Sequence, residues 1–252
     1  MAKTATCGFC GLPAVTKEHV WPDWLRRLIL ESRTEVGQKS FTMEVERGKK
    51  TTRFSSRALE ATVHMPCARC NNGWMSALEG TVKPFMAEMV FPGVKTILDV
   101  ERQGALARWA VKTAMVFEFV GKAPVPYFTP EERFGFKTLA QIPENTWIWI
   151  GRYDATQPAH SLQHRIGQRR QDGTVTPAYS FTFTADFLAL QVFSFRGAPP
   201  SDSRMPVNPG PWKQALLRIW PTSAVDVSWP PDLEIDHDHL GEFDSRFITA
   251  NE

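Results

Sequence analysis

The sequence predicts an α+β protein in two units, a small cysteine-stapled one over residues 1–92 and a larger α+β one over 93–252. Three observations carry that expectation. All four cysteines fall before residue 71, as two CxxC pairs, Cys7 with Cys10 and Cys67 with Cys70. The later sequence moves between helical spacing and strand-like alternation, as a mixed helix and sheet layer does. Phe91-Pro92-Gly93, a breaker cluster, stands between the two patterns.

The elements follow in order. A tight CGFCG turn leads into a short β-branched stretch that ends at Glu18-His19, the end of a first strand. Pro22 suits the first turn of a helix, and Trp24, Leu25 and Leu28 recur at helical spacing behind it, so a helix is expected from about Asp23 to Glu31. Phe41, Met43 and Val45 alternate with polar residues, and a turn at Gly48 joins them to Thr51–Ser55 as an exposed basic hairpin. Ala61–Met65 reads as a strand running into the second CxxC. Trp74, Leu78, Val82 and Phe85 then share one helical face, with Pro84 expected to end or kink that helix near Lys83.

In the second unit, Ala105–Phe119 is a strongly periodic helix. Thr146–Tyr153, Ala178–Thr184 and Phe187–Phe195 are β-like runs, so the expectation is a sheet packed with one or two helices. Gln163–Arg170 reads as a basic loop. Trp147 and Trp149 alternate with isoleucines and belong to a buried strand face rather than to a base-stacking surface. Asp236, His237, Asp238 and His239 read as a solvated acidic loop rather than a metal cluster.

Composition narrows the function. A net charge of +2 is too small to mark a nucleic-acid binder by itself, so the distribution decides. Between Lys17 and Arg57 basic residues outnumber acidic ones, while the stretch after Asp226 is dominated by acids; the basic front predicts an anionic ligand there. The start is polar and unlike a signal peptide, and no apolar run reaches spanning length, so a soluble cytoplasmic protein without a membrane partner is expected. In such a compartment two CxxC pairs read as a metal site. Four thiolates suit tetrahedral Zn²⁺ and leave no open coordination position, so this zinc is structural.

Beside the cysteines lie the residues that give the site chemistry. KEHVWP places Glu18-His19 after the first pair, and CARCNNGW places Asn71 directly after the second. Together with CGFC, these motifs resemble the HNH, or His-Me finger, endonucleases over residues 7 to about 83. The resemblance implies an N-terminal zinc-stapled ββα-metal domain that hydrolyses phosphodiester bonds in DNA. It assigns Glu18 and Asn71 as ligands of a catalytic Mg²⁺ or Mn²⁺ and His19 as general base, with products carrying a 5′ phosphate. Those residue types fit the task, since oxygen donors suit a hard ion and an imidazole takes a proton near neutral pH.

The chain departs from the usual pattern in carrying Glu18 where an Asp is commoner and in the length between His19 and Cys67. Thr62 and His64 are the two polar candidates for orienting the His19 ring. Glu79 lies two helical turns beyond Asn71, in place for a contact to the ion or its waters. Arg26, Arg27, Lys49, Lys50 and Arg53 form a basic track for phosphates. The second unit would select substrate, sense a signal or make a homo-oligomer, a layout that resembles phage-defence or mobile-element nucleases. Two alternatives stay open: an HNH nuclease acting on RNA, and a zinc-knuckle adaptor that binds nucleic acid or protein without catalysis.

Overall fold

A computed structural model describes residues 5–13, 15–33, 41–47, 50–56, 61–120, 126–154, 161–169, 175–197 and 214–236, with the backbone alone over 32–33, 41–56 and 165–169. Lys49, His237, Asp238 and His239 lie outside the described residues, as do the side chains of Lys50 and Arg53. Helix and strand are mixed along the chain, which is an α+β architecture.

Strand β1 (Val15–His19) pairs antiparallel with β4 (Thr62–Cys67), and between them come helix α1 (Asp23–Arg33) and the hairpin β2 (Phe41–Arg47) and β3 (Lys50–Ser56). After β4 a short helical turn α2 (Ala68–Cys70) opens into a wide π turn over Asn71–Met75 and then helix α3 (Ser76–Met89). Pro84, expected to end or kink this helix near Lys83, lies inside α3 and does not end it. Proline removes one helical hydrogen bond at a cost of about 3 kcal/mol. Pro84 itself is exposed, while Phe85, Met86 and Met89 on the opposite side are buried. Three such side chains, at roughly 1.5–3 kcal/mol each, outweigh the lost bond. Pro84→Ala is therefore expected to stabilise the chain by about 1–3 kcal/mol, read as a higher urea midpoint; an unchanged or lower midpoint would show that the bond is not missed.

Beyond β5 (Thr96–Leu98) runs helix α4 (Val100–Phe117), capped by Asp99, whose side chain accepts from the Arg102 amide. Helix α5 (Pro130–Leu139) follows, started by a capping box in which Thr129 and Glu132 satisfy each other's amides. The remaining strands are β6 (Thr146–Tyr153), β7 (Ser161–Arg169), β8 (Val175–Ala185), β9 (Leu188–Phe195), β10 (Leu216–Trp220), β11 (Val227–Trp229) and β12 (Glu234–Ile235).

Eight strands among the described residues make one sheet, ordered β10-β6-β9-β8-β7-β2-β3, with β12 added parallel to β6. The segment Gln163–Arg170, expected as a basic loop, is instead mostly strand β7. Its polar letters conceal a strand bonded on both sides, to β8 and to β2, with Gln163 and His164 buried. Trp149 is fully buried and Trp147 stacks on Phe195 at 5.2 Å, so both belong to the packing.

Helix α4 is enclosed on nearly every side, as an apolar-all-round helix must be. Toward the sheet, Trp109 meets Phe183 at 5.7 Å and Phe117 meets Phe181 at 4.6 Å; toward the first unit, Phe117 meets Trp21 at 6.4 Å. One hydrophobic cluster thus runs from Cys7 and Met86 through α4 to Val192, joining residues on both sides of the expected boundary at residue 92. The hairpin β2–β3, from the first unit, also lies in the large sheet.

Candidate functional site

The cysteines are assembled by two close backbone approaches. In the first turn, the Cys7 amide donates to the Leu12 carbonyl at 2.7 Å and the Gly11 amide to the Cys7 carbonyl at 2.8 Å. Gly11 closes that turn at φ +71°, a conformation glycine adopts without a side-chain penalty. Gly8 then lies flat on β4, its amide donating to Met65 at 3.0 Å; a Cβ there would fall 2.8 Å from the Met65 sulfur. This docking sets Cys7 and Cys10 against Cys67 and Cys70, whose sulfurs all lie within 4.8 Å of one another. Cys10 Sγ and Cys67 Sγ are 3.6 Å apart.

That spacing fits a tetrahedral zinc, for which Zn–S bonds of about 2.3 Å put sulfurs roughly 3.8 Å apart. The surroundings fit it too. Burial would raise the Cys67 thiol, but the Cys70 backbone amide and the neighbouring sulfurs hold it down to about 7. Burial raises the Cys70 thiol, and the Trp74 indole opposes it. The Trp74 N–H is buried without a hydrogen-bond partner, a donor that a thiolate sulfur at Cys70 would answer. Helix α5 clamps the turn from outside: buried Arg133 donates through Nε to the Gly8 carbonyl at 2.8 Å and pairs with Glu118 at 3.7 Å. Sequence reasoning missed Arg133, although the Thr129 to Glu132 capping pattern announced the helix that carries it.

A second group of polar side chains lies next to the sulfurs. Asn71 is the first residue after Cys70, and its Nδ2 donates to Thr16 Oγ1 at 3.4 Å, while Thr16 donates to the Pro66 carbonyl at 3.0 Å. The end of β1 and the start of the helical run thus meet there. Glu18 is buried, and burial pushes its carboxyl above the usual carboxylate range; the Lys112 ammonium opposes that rise, the Glu79 charge adds to it, and Asn71 opposes it. Glu79, on α3, accepts from Lys112 Nζ at 2.8 Å. Sequence reasoning placed Glu79 near this group but overlooked Lys112. The signal was a lone lysine in the middle of the apolar run from Ala105 to Phe117.

The β1–β4 register places the other candidates. Glu18 is opposite Val63, both facing the core, whereas His19 is opposite Thr62 and Lys17 opposite His64. Cross-strand partners share a face and neighbours alternate, so His19, Thr62 and His64 share the outward face. His19 is half-buried and His64 exposed. Of the two residues considered for orienting His19, Thr62 is the one directly across from it. Arg26 and Arg27 both pair with Asp23, at 2.6 Å each. Exposed pairs of this kind are weak enough to exchange for a phosphate.

Compared with models of known families, with curated proteins and with solved structures, the chain matches none. No helix among the described residues is long and apolar enough to cross a membrane. The chemistry therefore has to come from the residues themselves. Two carboxylates and an amide oxygen are the donors a hard divalent ion takes, and the buried Glu18 carboxylate is the kind of charge such an ion would relieve.

Proposed function

We propose that this chain is a metal-dependent endonuclease of the HNH type that cleaves phosphodiester bonds in DNA. The reading rests on one observation above the rest: beside the thiol cluster, β1, which carries Glu18 and His19, meets the start of the helical run, where Asn71 Nδ2 donates to Thr16 Oγ1 at 3.4 Å. In this reading zinc at the four thiolates holds the hairpin to the helical run and takes no part in the reaction. Glu18 and Asn71 would hold Mg²⁺ or Mn²⁺, with Glu79 nearby, and that ion would supply polarisation of the scissile phosphate and charge neutralisation at the departing oxygen.

The rest of the work falls to side chains of the chain itself. His19, at the end of β1, would take the proton from the attacking water; its side chain leaves the strand on the face opposite Glu18, so it would meet that water at the rim of the site, with Thr62 across the ladder from it. Asn71 is steadied in turn by Thr16, so its amide keeps one orientation. Arg26 and Arg27 on α1 meet the phosphates of the bound strand. A ready test is conversion of supercoiled plasmid to nicked circles by the zinc-loaded chain with Mg²⁺ or Mn²⁺, beside a structured RNA. Metal-dependent nicking supports the reading; cleavage of RNA alone would move the substrate.

The Lys112–Glu79 pair favours one rival, in which the polar group is a structural ion pair and the first unit a zinc-held adaptor. In that case nucleic acid or protein would be bound and nothing cut.

A further inference from the structure

We propose that Lys112 is a resident counter-cation of the Glu18, Asn71 and Glu79 group and sets how tightly that group takes a divalent cation. This rests on the metal-dependent reading of the same residues. Lys112 projects from the middle of α4, a helix otherwise buried in apolar contacts, and its side chain is 1 % exposed. A lysine in such a place loses its water shell and is retained only where something answers its charge. The answer comes from another helix: Glu79 accepts a hydrogen bond from Lys112 Nζ at 2.8 Å, and the same ammonium favours the charged form of Glu18.

The Glu79 charge also disfavours a charge on Glu18. An ammonium and a hard divalent ion ask for the same oxygens, so the two compete for this place. With Lys112 present, two carboxylates and one ammonium leave a single net negative charge around the amide of Asn71. With a neutral side chain at 112, both carboxylate charges are left to an incoming cation. Lys112 thus keeps the group folded without its ion and holds its affinity down.

The test uses the full chain loaded with zinc and titrated with Mn²⁺, free ion being read by electron paramagnetic resonance. Lys112→Met and Lys112→Gln are expected to bind Mn²⁺ about tenfold or more tightly than the parent, from loss of a like charge in a low-dielectric place. Lys112→Arg keeps the charge and the parent affinity, and Glu18→Gln weakens binding in every background. The neutral variants should also gain thermal stability from Mn²⁺ more steeply than the parent.

Equal or weaker Mn²⁺ binding by a neutral variant that retains its zinc and its circular dichroism overturns the proposal. Should neither neutral variant fold, ¹⁵N-lysine labelling of the parent decides: Mn²⁺ must broaden the Lys112 Nζ signal ahead of the other lysines, and a signal left sharp overturns it. A nicking assay alongside separates the two levels. Tighter Mn²⁺ binding without any nicking strikes the nuclease reading and spares this one, and nicking with unaltered Mn²⁺ affinity does the reverse.

Discussion

Stripping the metal from the four thiolates should unfold the first unit while leaving the large sheet standing. Structural zinc binding in small knuckles is worth about 10–16 kcal/mol, as much as the whole stability of an ordinary domain, about 5–15 kcal/mol. The turn around Cys7 to Cys10 touches β4 through the Gly8 amide and α5 through Arg133, and Phe9 packs edge-on against Trp74 at 4.9 Å. None of those contacts replaces the four sulfurs, whose deprotonated forms would repel one another once the ion left. The measurement is one zinc per chain by elemental analysis, then hydrogen exchange after a strong chelator. Exchange should become fast over β1, β4 and the Asn71 turn and stay slow over β8 and β9. Mild chelation, which removes only a weakly held divalent ion, should leave protection intact. Slow exchange across β1 and β4 in a zinc-free chain would end the case for a structural zinc.

Replacing His19 by alanine should cut plasmid nicking by about 10²–10⁴-fold, the usual contribution of a positioned general base. Zinc content and thermal midpoint should barely move, because His19 is half-buried at the end of a strand and removes little packing. Thr62→Val should cost less, since it would loosen the ring without deleting it. The comparison with Glu18→Gln is informative: if Glu18 is a ligand of the divalent ion, as proposed, added Mn²⁺ should recover part of that variant's activity, whereas no ion concentration should rescue His19→Ala. Full nicking by His19→Ala, with the protein free of contaminating nuclease, would remove the imidazole from the mechanism.

Much of the local structure was legible because its signals are local. Thr146–Tyr153 alternates as a strand must, and the β6 ladder follows it; the helix centred on Trp109 shows its spacing to the eye. The two CxxC turns announced a sulfur cluster because two such pairs are the sequence pattern of a four-thiolate metal site. What escaped was whatever depends on distant partners. Gln163 and His164 read as polar loop because β8 and β2, which cover that backbone, come from elsewhere in the chain. Pro84 read as a helix end because the burial of Met86 and Met89 against α4 has no trace in the local pattern. Lys112 escaped for the same reason: its partner Glu79 lies on another helix, and a lysine in an apolar run says that something answers it without saying what.

The enclosure of α4 limits how the knuckle could be borrowed. A protein engineer who transplanted only residues 1–92 into a new host would leave behind the wall against which Val82, Met86 and Met89 rest, together with the lysine that Glu79 grips. The smallest portable piece therefore extends through Leu139, so that Arg133 stays on the Gly8 carbonyl, and the face of α4 that meets Phe181 and Phe183 would then need a new cover supplied by the recipient.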